Sequence, residues 1–106
     1  MAHYLVRARP RPGKLDELED RLRDDAFVEL QPFGRALSRG LRGARMEGDG
    51  AVWEEEDYCS PPLAEERAAV LDSYFEGIAV EPVAEGEGWR RIESLPPLFP
   101  DLQPSA

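Results

Sequence analysis

Four consecutive acids, Glu54, Glu55, Glu56 and Asp57, carry the most chemistry in this sequence. They follow Ala51-Val52-Trp53 and read as the end of a β-strand, where alternation sends two carboxylates to each face. Two carboxylates on a covered face raise each other's pKa and could serve as acid, base or metal ligands. The same acids could instead pair with Arg42 and Arg45, or stay in water at a sheet edge. His3 is the only histidine. Its ring titrates near neutrality and suits a general base. No acid or nucleophile is fixed beside it by local spacing, and a histidine near a terminus is commonly a surface residue. Trp53 and Trp89, with Tyr4, Tyr58 and Tyr74, could line a pocket for an aromatic ligand. In a domain this small such residues are more often core or interface.

Cys59 is the only cysteine, so an intramolecular disulfide and a Cys₂- or Cys₄-type zinc site are excluded within one chain. Glu56 and Asp57 just before it oppose thiolate formation and make it a poor nucleophile. Gly86-Glu87-Gly88 lacks the remainder of any phosphate-binding pattern, and its acid would repel phosphate. The candidate ligand-binding residues are therefore His3, Arg42, Trp53, Glu55 and Asp57. No catalytic set, metal site or cofactor is assigned.

The elements that position these residues come from one domain's worth of chain, 106 residues with a single modest core. The net charge is −9, from 22 acids against 13 bases. That disfavours nonspecific nucleic-acid and anionic-membrane binding, which need clustered cations. The N-terminal apolar run is too short for a signal peptide, and no stretch approaches a membrane span, so a cytoplasmic protein is expected. The bases are twelve Arg and one Lys, and Asn and Thr are absent. Avoidance of labile amides fits a thermophile, and a GC-rich genome would also favour Arg over Lys.

Residues 2 to 9 alternate as a first strand, with Tyr4, Val6 and Ala8 on one side and His3, Leu5, Arg7 and Arg9 on the other. Pro10 and Pro12 end it. A helix starts near Lys14, with Leu15, Leu18 and Leu22 in a stripe and acids in its first turn. A second helical stretch carries Ala26, Leu30, Phe33 and Leu37, with a kink or fresh start at Pro32 and a stop at Gly40. Residues 41 to 58 read as a hairpin turning at Asp49-Gly50, which puts Met46 opposite Trp53, Arg45 opposite Glu54 and Arg42 opposite Asp57. A helix from Leu63 to about Ile78 follows, capped by Ser60-Pro61 and ending at Gly77. Val80 to Val83 reads as a short edge strand because of Pro82. Trp89 to Leu95 reads as a last strand. The Pro-rich tail, residues 96 to 106, carries Leu98, Phe99 and Leu102 and should dock in extended form on the 1–95 domain or on a partner chain.

This order is the βαββαβ pattern of a ferredoxin-like α+β sandwich, an antiparallel sheet with helices on one face. The bare face needs a cover, and a second copy is the economical one. ARPRPGKLDELEDRL resembles the strand–PGK–helix opening of antibiotic-biosynthesis-monooxygenase-like domains. GDGAVWEEEDYCSPPLAEERAAVLDSYF resembles their acidic, aromatic strand end and following helix. The resemblance covers roughly residues 2 to 80. It implies a dimeric α+β barrel and a cofactor-independent monooxygenase or isomerase acting on a small organic substrate. Haem-degrading members use a helix histidine, and no helix here carries one. The residues by themselves support a homodimeric domain with no assignable catalytic constellation, able to bind a small molecule in the sheet-face cavity.

Overall fold

Strand β1 spans Ala2–Pro10, and its end at a proline follows from the missing N–H. The computed structural model describes residues 2–102. Helix α1, Leu15–Arg23, buries Leu18 and Leu22 and places Asp16 and Glu17 in its first turn, Arg21 and Arg23 in its last. Residues 24–33 are turns that bury Phe27 and Phe33, and α2 is Gly34–Arg42. The second helix thus starts after Pro32, which cannot donate to a helix. It runs past Gly40, where a Cβ would lie 2.8 Å from Trp53 Cδ1. Gly40 marks a close approach of helix to sheet, not a stop.

Strands β2, Arg45–Glu47, and β3, Gly50–Asp57, form the hairpin. The turn is one residue earlier than expected. Met46 pairs with Ala51, Arg45 with Val52 and Glu47 with Gly50, so Gly48-Asp49 is the loop. Gly48 has φ +63, which a first loop position of the type II′ kind requires, whereas Gly50 lies in the strand. The expected Met46–Trp53 and Arg45–Glu54 pairs do not form, and Arg42 lies in α2.

A third helical segment consists of α3, Ala64–Glu66, a π-helical stretch, Arg67–Leu71, and α4, Asp72–Tyr74. It stops at Tyr74, because Phe75 already pairs with Pro10 as the start of β4, Phe75–Val83. A bulge near Gly77 bends β4 against β1. The sheet is antiparallel in the order β2-β3-β1-β4, so β4 is an edge strand and tolerates Pro82.

One sheet face is covered by the helices, and the other is covered in part. Val6, Ala8, Ala51 and Trp53 face the helices and join the main core with Leu18, Leu37 and Leu71. Leu5 and Val52 face the other way and pack on Ile92 and Trp89. These belong to α5, Glu87–Ile92, in the segment expected to be a strand. The physical motive for a dimeric barrel, a bare sheet face, is therefore met within the chain over this part of the sheet. Residues 96–102 pack on their own chain. Met46 N–H donates to Pro96 O at 2.8 Å and Leu98 N–H to Ala44 O at 2.9 Å. Phe99 and Leu102 are buried in the main core. The tail positions 103–106 lie outside the described residues. Among the described residues no helix is long and apolar enough to cross a membrane.

Candidate functional site

The five sequence candidates do not converge. They fall into three places, and two of these hold unusual electrostatics.

His3 sits on the α5 side of β1. Its Nδ1 is 3.6 Å from Glu54 Oε2 and its Nε2 is 3.9 Å from Glu85 Oε1. Glu54 is spent on structure. Its Oε1 accepts N–H donors from Gly88 at 2.7 Å and Trp89 at 3.2 Å, and its Oε2 accepts Gly86 N–H at 2.9 Å. These are the orphan donors at the start of α5, so this buried carboxylate caps the helix.

Trp53, Glu55 and Asp57 share the opposite face of β3, by strand alternation. Trp53 is core, packed on Phe75 with ring centroids 5.2 Å apart. Its indole Nε1–H donates to Glu55 Oε1 at 2.9 Å. Leu63 N–H donates to Asp57 Oδ2 at 2.6 Å. That donor is aimed by a Leu63 backbone at φ +63, a costly conformation for a residue with a Cβ. Two residues absent from the sequence candidates complete the group. Cys59 Sγ donates to Glu66 Oε1 at 3.4 Å. Glu66 is fully buried. One ligand atom from each of Asp57, Cys59 and Glu66 lies within 4.8 Å of the others.

The three carboxylates share a pattern. Each has one oxygen held by a neighbouring donor and one buried oxygen, Glu55 Oε2, Asp57 Oδ1 or Glu66 Oε2, that meets no donor except a proton shared among the acids themselves. Among the described residues no cation pairs with any of them. Burial, opposed by the Trp53 bond and reinforced by the Glu66 and Asp57 charges, pushes Glu55 well above the usual carboxylate range. Burial and then Asp57 push Glu66 up to about 7. Burial also acts upward on Asp57, but hydrogen bonds from Glu66, Leu63 and Cys59 outweigh it and leave this acid below its ordinary value. Burial and the neighbouring acids raise the Cys59 thiol to about 11. Burial thus favours the protonated forms of Glu55 and Glu66 over their charged forms. Asp57 and Cys59 also line an open depression of about 330 Å³ with Tyr4 and Tyr58, which gives access from solvent.

Arg42 belongs to the third place, a groove of about 660 Å³ between α2, β2, α5 and the tail. Arg35, Arg39 and Arg42 line it from one face of α2 at i, i+4 and i+7, and Arg45 joins them from β2. Trp89 and Leu102 supply its apolar wall, and its described lining contains no acid. Arg42 is engaged with Leu22 O and with Asp25 Oδ1. Arg45 donates Nη1–H to Leu95 O at 2.9 Å, while its buried Nε has no partner. Arg35 and Arg39 are exposed and make no ion pair or hydrogen bond among the described residues. The net charge of −9 hid this local cluster of cations, although the arginine spacing on α2 was visible.

No protein-family model, curated protein or solved structure matches the chain.

Proposed function

We propose that this protein binds a small organic anion in the arginine-lined groove. The observation that carries the reading is four guanidinium groups and no acid among the described lining residues of one partly apolar groove, in a chain with a large excess of acids. Arg35 and Arg39 would hold the anionic group, because planar guanidinium matches carboxylate and phosphate in paired hydrogen bonds. Trp89 and Leu102 would take the apolar part. Extended polyanions are disfavoured, since the cations occupy one short helix face and the rest of the surface repels them. The groove's described lining has no histidine, carboxylate or cysteine to move a proton. The reading is therefore binding, and it offers nothing to the oxygenase or isomerase activity that the resemblance implies.

The binding domain itself we read as ferredoxin-like and cytoplasmic. The antiparallel order β2-β3-β1-β4 supports the first. Kinship with the antibiotic-biosynthesis-monooxygenase-like domains rests on that topology and the quoted segments, and fold alone does not carry an activity.

Phenyl phosphate and benzoate are suitable probes. Titration at millimolar concentration should shift the Trp89 indole NMR resonance, more weakly as salt is raised. Arg35→Gln and Arg39→Gln should each weaken binding about tenfold, the loss of one charge-assisted contact. No Trp89 shift with either probe, or parent-like affinity in both variants, would sink the proposal.

A further inference from the structure

We propose that Asp57, Cys59 and Glu66, backed by Glu55, form a binding site for a divalent transition-metal ion of the zinc type. The inference rests on ligand atoms of Asp57, Cys59 and Glu66 gathered within 4.8 Å of one another, with Asp57 Oδ1 and Glu66 Oε2 buried and without a fixed donor, and Glu55 Oε2 in the same condition on the neighbouring strand position. A buried acceptor left unmade costs free energy, and a native fold rarely keeps three together without use. The other oxygen of each acid is already fixed, by Trp53 Nε1–H, Leu63 N–H and Cys59 Sγ. Such outer hydrogen bonds are what orient ligands toward an ion. The candidate donor atoms lie within 4.8 Å of one another. Zinc ligands sit about 2.0–2.3 Å from the metal, so small inward side-chain movements would close the shell. A single sulfur among oxygens favours a borderline ion over Mg²⁺ or Ca²⁺, which take oxygen alone. On binding, Cys59 and Glu66 release their protons to solvent, and the Cys59–Glu66 hydrogen bond and the proton shared by Glu66 and Asp57 are replaced by metal bonds. The depression lined by Tyr4, Asp57 and Tyr58 is the entry route.

The reading is independent of the arginine groove, which has no cation ligand. It differs from the expectation that no metal site exists, because neither Glu66 nor its closeness to Cys59 was foreseen. The competing arrangement is a set of carboxylic acids sharing protons.

The test uses chelator-treated, full-length protein and two probes, Cd²⁺ and Zn²⁺. Cd²⁺ should bind stoichiometrically with a thiolate-to-metal charge-transfer band, and Zn²⁺ should compete for it and raise the melting temperature. Cys59→Ser should remove the band, and Glu66→Gln, close in shape and so tolerable to the fold, should weaken binding about tenfold or more. His3→Gln controls for the His3, Glu54 and Glu85 group and should leave binding unchanged. No charge-transfer band, undiminished affinity in Glu66→Gln, or loss of binding in His3→Gln would each overturn the proposal.

Discussion

Glu54 and Glu55 are neighbours in one strand, both buried, and they live under opposite rules. Glu54 faces α5 and accepts three backbone N–H groups, so its charge is met by donors that would otherwise be orphaned. Glu55 faces the helices, accepts one indole N–H and keeps a bare oxygen beside two more acids. The first arrangement is what a fold builds to hold itself together. The second costs stability, and buried polar groups that are not satisfied need a reason of another kind. The contrast separates an acid that latches a helix from acids that wait for a cation, although the sequence shows four similar residues in a row.

The same substitution at the two positions tests the contrast most directly. Glu54→Gln keeps the shape but turns one oxygen into an NH₂ that faces the N–H donors at the start of α5. The loss should be about 2–3 kcal/mol, from one missing charge-assisted acceptor and one donor left unmet. Chemical denaturation should show it, and α5 amides should exchange faster. An unchanged midpoint would mean that α5 is not held by this carboxylate.

A smaller effect comes from the hairpin that keeps the two acids on their sides. A one-residue slip of β3 against its neighbours would exchange the faces. Gly48→Val should cost about 1–2 kcal/mol, because a β-branched side chain resists φ +63. Gly50→Val should cost less, since its Cβ would meet only Ala8 O and Glu47 O, both at 3.4 Å. Equal melting temperatures for the two variants would contradict the Gly48-Asp49 turn.

The sequence made the two-sidedness of β3 legible and the meaning of each side illegible. Misplacing the turn by one residue moved every β2–β3 partner by two, so the alternation of acids survived the wrong register. Asp-Gly is the stronger hairpin signal, yet the pairing of β3 with β1, Ala2 to Asp57 through Ala8 to Ala51, also constrains the strand. Helix α5 was missed although Trp89, Ile92 and Leu95 stand three residues apart, a helical spacing, because the segment is short and follows a turn like a strand of the expected topology. Its cap is Glu54, a long-range contact that no local window contains. Glu66 was missed because Glu65-Glu66-Arg67 reads as a wet helix face. It nevertheless stands three residues after Leu63 and four before Val70, inside the apolar stripe, and an acid on such a stripe is the signal that could have found it. The arginine row on α2 was open to the same scan, and the negative total concealed it.

The smallest expected effect is at Glu55 itself. Glu55→Gln mimics the protonated side chain, the form that burial already favours. Its stability at neutral pH, without metal, should therefore stay within about 1 kcal/mol of the parent or exceed it. The pH dependence gives the sharper reading. Glu55 and Glu66 have folded values above their ordinary ones, so their contribution is full below the ordinary value of 4.5. It is lost as pH rises through the folded values, which for Glu66 means a window from 4.5 to about 7. Asp57, shifted the other way, contributes above its ordinary 3.8 and loses that as pH falls, so it does not mask the window. In EDTA the parent's melting temperature should decline across the window, and Glu55→Gln should decline less steeply because one of the interacting acids can no longer ionise. A loss in Glu55→Gln as large as that in Glu54→Gln would show that Glu55 is satisfied after all, and the contrast between the two faces would collapse.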